Sequence, residues 1–482
     1  MGSTGAGRKG RLLGVLLMGP FMAQADATIA NVATPSIHAE LGATGAVLEL
    51  VIGGYLIAFA VLLITGARLG QTHGYKRVFL IGIGIFSLAS LLCGLAPDPT
   101  VLVGARVLQG AGAALMFPQT LTGIQLNFSG EARKRAIGLY AIALSAGGVI
   151  GQIFGGALIS ANLADTQWRA IFLINVPIGI AGIAAAERYL PADAHRVSRR
   201  VDLPGVAMMS VSVLLVVLPL SLGRSEGWPA WTWVCLAASL PATVAFITAQ
   251  RHLADRGGAP LVNMHMLANR PILCGLATLL AATGTYYALL FTLAQYLQQG
   301  LGHSALVSGL TLVPWVAAFG VAGQIVRRLP SHLVRRVPSA GCLLLAATYA
   351  AISATLFAGY HDELPMIVLL GTGGLGLGFQ FSALVAHLTN AVHTDYAADI
   401  SGVSTTTMQI GGALGVAALG TLYLTQNQTS ATHATRAFAV TTTAFAAIAL
   451  LATAMAHQAT RTNRPKTTAQ TQTIRANGTH AA

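Results

Sequence analysis

Charged residues are scarce in this sequence, and their scarcity excludes most soluble folds. Only 9% of the 482 residues are Asp, Glu, Lys or Arg, whereas 54% are hydrophobic. Soluble domains usually contain about 25% charged residues. So few charges cannot cover the surface of a soluble protein of this length, so most of the chain is expected to face lipid or other helices. The composition therefore excludes an ordinary soluble enzyme and a disordered chain, and it predicts a polytopic membrane protein.

Cysteine is also rare, and motifs for metals and nucleotides are absent. Cys93, Cys235, Cys274 and Cys342 lie in apolar runs without paired spacing, which favours small packing residues over disulfides or metal ligands. The 13 histidines include no H-x-x-x-H pair that would bind a metal on one helix face. No GxxxxGK[ST] stretch is present, which argues against an ATP-driven pump. We expect no cofactor, no metal site and no enzymatic activity.

Basic residues outnumber acidic ones, 28 to 15, and give a formal net charge of +13. A basic chain can indicate nucleic-acid binding, but a binding surface would gather the cations into one patch. Here they lie in short clusters between apolar stretches, as in the cytoplasmic loops of membrane proteins. Arginine outnumbers lysine by 24 to 4, which favours a GC-rich bacterial genome as the source. We expect a multi-pass protein of a bacterial cell (plasma) membrane that binds no nucleic acid.

Fourteen apolar runs are long enough to cross ~30 Å of hydrocarbon, which takes about 20 helical residues. If the first run starts on the cytoplasmic side of the membrane, 24 of the 28 Lys and Arg residues fall on that side, and both termini are cytoplasmic. The basic stretch before the first run resembles a secretory signal, but the helical pattern continues to Val32, so we expect an uncleaved helix. The predicted spans are 12–35, 48–69, 78–96, 101–122, 135–159, 170–189, 203–222, 231–250, 272–295, 305–326, 339–359, 365–387, 399–424 and 437–457.

A polar, basic stretch, PADAHRVSRRVD at 191–202, divides the chain after six spans. The last six spans, from 272, would form a second half, which leaves two additional helices between the halves. The predicted organisation is a first half at 1–190, a cytoplasmic linker at 191–202, two additional transmembrane helices within 203–271, a second half at 272–457 and a tail at 458–482. The tail lacks apolar residues to bury, so we expect it to be disordered.

Asp26 and Arg106 lie within predicted spans, where a charge costs ~2.5–3.5 kcal/mol on insertion scales. A titrating acid beside a fixed cation can couple proton binding to transport, because the cation changes the acid's affinity for a proton. Two simpler explanations remain open, a packing hydrogen bond for Asp26 and snorkelling of Arg106 to the membrane surface. Glu49 starts the second span, and we expect it to be solvated at the interface.

The sequence around these residues resembles the fourteen-helix drug:proton antiporters of the major facilitator superfamily. LVGARVLQGAGAA at 102–114 matches the fourth-helix signature, and FMAQADATIANVATPSI at 21–37 matches the first-helix signature. The resemblance covers 12–457. It implies an all-α membrane protein with two six-helix halves, two extra transmembrane helices and both termini in the cytoplasm. Three further stretches resemble landmarks of the subfamily: WRAIFLINVPIG at 168–179, DLPG at 202–205 and GGAPLVNMHMLANR at 257–270.

The resemblance implies proton-coupled export of a drug-like or antibiotic-like molecule by alternating access. Asp26 would be the protonation site and Arg106 the cation that tunes it. The implied partners are a small molecule, protons and the bilayer, and we expect the chain to act as a monomer. Two alternatives remain: an importer or symporter of a small metabolite, and a membrane sensor or scaffold without transport.

Two stretches depart from the family pattern. ARLGQTHGYKR has Gln71 where the family has an aspartate, so we expect a weaker latch on the inner side. GGVIGQIFGG at 147–156 has Gln152 in place of a proline. Its glycines permit close helix approach, either as an antiporter signature or as ordinary packing. The residues with predicted conformational or gating roles are Gly74, Lys76, Arg77, Gln71, Gly147, Gly151, Gln152, Gly155 and Gly156.

Polar and aromatic side chains on predicted helices of both halves would suit a midplane cavity for a bulky, partly apolar substrate. For each of them alone, helix packing is the competing explanation. The candidates are Tyr55, Gln109, Gln295, Tyr296, Gln299, Trp315, Gln380 and Gln409.

Overall fold

The computed structural model describes most of the chain, and the regular secondary structure of the described part is all helical. It covers residues 2–43, 45–162, 165–192, 202–223, 226–258, 260–261, 269–359, 363–391, 397–426 and 430–461. Fourteen helices within these residues are long and apolar enough to cross a membrane. The predicted number of spans is therefore confirmed, and so is the all-α fold class.

The fourteen spans are numbered α1 to α14, and several consist of more than one segment. The single-segment helices are α1 Gly2–Leu41, α2 Gly45–His73, α3 Tyr75–Gly94, α4 Pro99–Asn127, α5 Gly130–Ala161, α7 Leu203–Leu222, α8 Ala230–Asp255, α11 Val337–Phe357, α12 Glu363–Asn390 and α14 Ala431–Ala459. The segmented spans are α6 (Gln167–Arg169, Ala170–Leu173 and Asn175–Tyr189), α9 (Arg270–Gln295 and Tyr296–Gly300), α10 (Ala305–Thr311 and Val313–Arg328) and α13 (Ala397–Gly415, Val416–Gly420 and Thr421–Gln426).

Local sequence explains where several of these helices start and break. Asp98 accepts hydrogen bonds from the backbone of the first turn of α4, and Pro99 follows it at the first helical position. In α10 the break at Leu312 precedes Pro314, whose ring cannot be accommodated in a continuous helix interior. The five-residue π-helical turns that end α9 and interrupt α13 widen those helices locally, a feature often found at functional sites.

Glycines let α4 approach its neighbours closely. A Cβ atom on Gly112 would lie 2.6 Å from the backbone nitrogen of Phe86 on α3, and a Cβ on Gly110 would meet the backbone of Tyr55 on α2. Small residues at such positions allow the backbones to make direct van der Waals contact, which drives helix association in lipid. The contact fixes α4, and therefore Arg106, against α2 and α3.

The packing groups the helices into two sets with one pair beside them. In the first set α1 packs on α5, and α4 packs on α2 and α3; in the last set α9 packs on α13 and α14, and α12 packs on α10 and α11. Helices α7 and α8 pack on each other, and α7 also contacts α2 and α13. The side chains of Trp233, Val234, Leu240 and Val244 on α8 are exposed, as suits a helix that faces lipid.

Several hydrogen bonds link the first six spans to the last six. We call the end at which α1 begins the basic end and the other the opposite end. Hydrogen bonds between the two sets lie in the middle of the bundle and towards the opposite end. They include Thr421 to Glu49 (3.0 Å), Gln298 to the Val32 carbonyl (3.1 Å), the Leu306 amide to Ser160 (3.3 Å) and Thr406 to the Ala60 carbonyl (3.3 Å).

Some expectations fall on residues outside the described part. These are nearly all of the 191–202 linker and residues 462–482 of the predicted disordered tail. Helix α14 runs to Ala459, so the last span ends slightly beyond its predicted end. The cytoplasmic location of both termini stays a prediction.

Close packing around α4 can be tested with two substitutions of the same kind. Gly112→Leu should lower the melting temperature of the purified protein, because overpacking a tight contact costs about 1–3 kcal/mol. Gly104→Leu is the matched control, since Gly104 lies on the same helix with no atom within 4 Å of its Cβ position. Equal melting temperatures for the two variants would contradict the close approach of α4.

Candidate functional site

The structure brings the two charged residues of the first and fourth spans together. Asp26 on α1 and Arg106 on α4 form an ion pair between Oδ2 of the carboxylate and Nη1 of the guanidinium. Asp26 is 1% exposed and Arg106 is 0% exposed. Arg106 therefore does not snorkel to the membrane surface, and that alternative is wrong for this conformation.

Three further polar side chains complete the surroundings of Asp26. Gln109 and Asn175 each donate to Oδ1 of Asp26, at 2.8 and 3.1 Å. The same two amide groups also donate to the Ser90 hydroxyl, at 2.5 and 3.2 Å. Helices α1, α3, α4 and α6 thus meet in one buried polar network, as a charge in a low-dielectric interior requires.

Arg106 is held by groups other than its carboxylate partner. Its Nε donates to the Val51 carbonyl at 2.9 Å, and its Nη1 also donates to Gln109 at 2.7 Å. The guanidinium carbon lies 4.4 Å from the centre of the Tyr55 ring and 5.6 Å from that of Phe172, within range of cation–π attraction. These contacts can keep the cation in place when Asp26 changes its charge.

The expectation that Glu49 is solvated at the membrane interface is wrong. It is 2% exposed, and both of its carboxylate oxygens lie near the Thr421 hydroxyl, at 3.0 and 3.1 Å. The same hydroxyl lies 3.2 Å from the Leu220 carbonyl. Glu49 is on α2, Thr421 on α13 and Leu220 on α7, so this contact joins the first set, the last set and the additional pair at the opposite end. Its position near a predicted span end did not reveal that α7 and α13 cover it.

The predicted cavity residues are mostly buried in helix packing in this conformation. Tyr55 donates its hydroxyl to the Ala23 carbonyl at 2.8 Å, and Gln109 belongs to the Asp26 network. Trp315 is fully buried between the rings of Tyr286 and Tyr349. Tyr296 stacks on Phe438, with ring centres 4.8 Å apart. The three remaining buried candidates are Gln295, Gln380 and Gln409; Gln299 lies in the π-helical end of α9.

The glycine run of α5 packs mainly on α1. Cβ atoms on Gly147, Gly151 and Gly155 would collide with α1, and a Cβ on Gly156 would collide with the start of α10. Gln152 donates to the Thr28 carbonyl at 3.1 Å and is buried, so an amide hydrogen bond to α1 occupies the position of the family's proline. This run therefore contacts both the first and the last set of helices.

At the basic end, the retained residues of the loop motif contact the first set. Lys76 donates to the Glu187 and Leu190 carbonyls at the end of α6, at 2.9 and 2.8 Å, and so helps to cap that helix. Gly74 has φ of 96°, a conformation that favours glycine. Arg77 is exposed, and the side chain of Gln71 lies outside the described residues.

Sequence reasoning missed several members of these sites. Asn175 lies within the landmark stretch 168–179, which could have indicated its importance, but nothing in its spacing pointed to Asp26. Ser90 stands in an apolar run on α3 and gave no signal. Thr421 was one of many threonines on a weakly apolar span, and only the packing of α13 against α2 shows its contact with Glu49.

The chain is similar to several known proteins. Residues 16–416 match the family model described as Major Facilitator Superfamily. A probable actinorhodin transporter of Streptomyces coelicolor is 36% identical over 420 residues, 86% of this chain and 72% of that protein. A cephamycin export protein of Amycolatopsis lactamdurans is 34% identical over 417 residues, 83% of this chain and 82% of that one. A solved structure from work on proton-dependent oligopeptide transporters has a TM-score of 0.67 at 15% identity, over 94% of this chain and 98% of that one.

The Asp26–Arg106 pair predicts how two single variants and their double variant differ in thermal stability. Asp26→Asn or Arg106→Gln alone should lower the melting temperature markedly, because breaking a buried pair costs about 3–5 kcal/mol. The double variant should recover much of the loss, since it leaves no uncompensated charge. Melting of purified protein in detergent measures all four forms. Additive losses would show that the two side chains are not coupled.

The contact at Glu49 predicts how the opposite end responds to loss of one hydroxyl. A cysteine in place of Ala46, one helical turn before Glu49 on α2, would report opening, in a background with the four native cysteines replaced by alanine. Thr421→Val should speed labelling of that cysteine by a thiol reagent roughly tenfold, because hydrogen bonds to charged groups contribute about 1.5–3 kcal/mol. Thr441→Val is the control, since buried Thr441 bonds only within its own helix. Unchanged labelling in Thr421→Val would show that the Glu49–Thr421 contact does not hold the opposite end closed.

Proposed function

The chain belongs to the major facilitator superfamily, and we propose that it exports drug-like or antibiotic-like small molecules in exchange for protons. It is a multi-pass protein of a bacterial cell membrane. The relatives named as an export protein and a probable transporter support export of a small molecule. The substrate crosses without chemical change, so no enzymatic step is involved. One chain supplies both sets of six helices and acts as a monomer.

The buried Asp26–Arg106 pair is the observation that carries this proposal. A buried carboxylate that is bound to an arginine and to neutral amides can take up a proton on one of its oxygens and release it again. Protonation removes the charge that holds Asp26 to Arg106, while Val51, Gln109 and the two rings still hold the guanidinium. The strength of the bonds that tie α1 to α4 therefore depends on one proton.

Alternating access follows from the contacts between the two sets of helices. In this conformation bonds between them lie in the middle and towards the opposite end, at Glu49–Thr421, Val32–Gln298 and Ser160–Leu306. With the predicted orientation, the basic end faces the cytoplasm, so these bonds hold the two sets together on the outer side. We place the exchange of substrate and proton in the rocking of the first set against the last around the middle of the bundle.

The energy available from one proton is sufficient for useful export. A proton that enters across ~100 mV yields ~2.3 kcal/mol, which supports a roughly 50-fold gradient of a neutral substrate. A monovalent cation exchanged one for one gains nothing from the voltage and needs the pH gradient. The membrane potential therefore drives the export of neutral substrates but not of singly charged cations.

Transport measurements test the role of Asp26. Asp26→Asn should abolish proton-driven accumulation of an exported antibiotic in inverted membrane vesicles, because an amide cannot take up the proton. Asp98→Asn is the matched control, since asparagine caps a helix about as well as aspartate does and should leave transport unchanged. Comparison of a panel of antibiotics in a pump-deficient host would first identify a substrate.

The same vesicles distinguish the alternatives. Accumulation in right-side-out vesicles, in place of inverted ones, would indicate an importer. Absence of any proton-dependent flux of any compound in the panel would indicate a sensor or scaffold. Full proton-driven transport by Asp26→Asn would remove Asp26 from the mechanism.

A further inference from the structure

Asn175 reaches Asp26 from a break in α6. One segment of that span ends at Leu173, and the next begins at Asn175 itself. Pro177 follows two residues later and lacks the N–H that would bond to the Leu173 carbonyl, which explains the break. Asn175 is 7% exposed. A buried amide thus extends to the carboxylate from the point where α6 is least regular.

The Asn175 amide is shared between two acceptors on different helices. Its Nδ2 lies 3.1 Å from Oδ1 of Asp26 on α1 and 3.2 Å from Oγ of Ser90 on α3. Both distances are longer than the most common N–H···O distance of about 2.9 Å. Within the described part of the chain, Ser90 and Asp26 make no direct hydrogen bond, so Ser90 acts on Asp26 through this shared amide. A small movement of Asn175 toward one oxygen strengthens that bond and weakens the other.

Gln109 donates to the same two oxygens but is held more firmly. Its Nε2 lies 2.8 Å from Oδ1 of Asp26 and 2.5 Å from Oγ of Ser90, so both of these bonds are short. Its Oε1 also accepts a hydrogen bond from Nη1 of Arg106 at 2.7 Å. The Gln109 amide is therefore fixed at its nitrogen and at its oxygen. Of the two amides on Oδ1, Asn175 is the one that can withdraw.

The two oxygens of Asp26 differ in how well they can accept a proton. Oδ2 faces an N–H of the Arg106 guanidinium, whose positive charge repels an added proton. Oδ1 faces neutral amide groups, and the amide of Asn175 can move away from it toward Ser90. One proton from water then forms an O–H bond at Oδ1 and neutralises the carboxylate. Asn175 keeps both of its amide hydrogens and donates to Ser90.

The other titratable groups around this site keep their protons at acidic pH. Those that interact with Asp26 are Arg106 on α4, Tyr55 on α2 and Cys93 on α3. Tyr287 on α9 interacts in turn with Tyr55. Within the described residues, no charged side chain of α5 or α6 interacts with Asp26. Guanidinium, phenol and thiol groups all remain protonated below about pH 8, so Asp26 is the group of this site that titrates at acidic pH.

We propose that Asn175 is a positioning residue that sets the proton affinity of Asp26. It donates to Oδ1 while Asp26 is charged, and to Ser90 when Oδ1 carries the proton. A hydrogen bond to the charged form of an acid favours that form, whereas an alternative acceptor for the same donor favours the neutral form. Asn175 and Ser90 therefore change the proton affinity of Asp26 in opposite directions. This inference rests on the proposed exchange of protons at Asp26.

Infrared titration of the purified full-length protein tests the opposite signs. The measured quantity is the midpoint pH of the buried carboxylic-acid band that is missing in Asp26→Asn. Asn175→Ala should raise this midpoint by about 1–2 pH units, a 10- to 100-fold gain in proton affinity, because the charged form loses one donor. Ser90→Ala should lower it by roughly 0.5–1 pH unit, because Asn175 then donates to Asp26 alone.

Two substitutions of the same kinds serve as matched controls and should leave the midpoint unchanged. Asn127→Ala removes an amide on α4 that bonds to the Tyr75 hydroxyl and the Gly123 carbonyl. Ser87→Ala removes a buried hydroxyl on α3, three residues before Ser90, that has no hydrogen-bond partner within the described residues. Melting temperatures establish that each variant is folded.

Either variant decides the proposal if the other does not fold. A midpoint that stays unchanged, or moves against the expected direction, in folded Asn175→Ala or Ser90→Ala would overturn the role of Asn175. Absence of an Asp26-dependent band in the unsubstituted protein would also overturn it. Opposite shifts without proton-driven flux in vesicles would contradict the export function and leave the role of Asn175 standing. Normal flux with unshifted midpoints would do the reverse.

Discussion

A salt bridge in the interior of a membrane protein is expensive, and most of this structure around α1 and α4 serves to make one possible. Transfer of two charges from water to a low-dielectric interior costs several kcal/mol per ion, which only good geometry and additional hydrogen bonds offset. Asp26 and Arg106 obtain these bonds from Gln109, Asn175 and the Val51 carbonyl. Since a pair of packed apolar side chains would stabilise the fold as well or better, the presence of the charges supports the proposed proton exchange.

The glycines and the ion pair depend on each other. Arg106 reaches Asp26 because α4 approaches α2 and α3 at Gly110 and Gly112, where larger side chains would separate the backbones. Likewise, the glycines of α5 bring it against α1, next to the turn that carries Asp26. A change in the charge of Asp26 therefore acts on helices that are already in backbone contact, so a small change in bonding can alter how the helices of the first set pack.

Composition and hydropathy predicted the fold because both follow from the bilayer alone. A helix must be about 20 apolar residues long to span the bilayer, so each span appears in the sequence as an apolar run of about that length. Asp26 and Arg106 were predictable for the same reason, since charges in apolar runs stand out. The sequence did not show which helices pack over a given residue. Glu49 looks interfacial in sequence but is buried by α7 and α13.

We propose that Asp26 takes up and releases the exchanged proton. Infrared difference spectroscopy of the purified protein between neutral and acidic pH detects the C=O stretch of a protonated carboxylic acid directly. We expect a band for a buried carboxylic acid that appears on acidification, persists in Glu49→Gln and is missing in Asp26→Asn. The same band at full intensity in Asp26→Asn would show that Asp26 does not carry the proton.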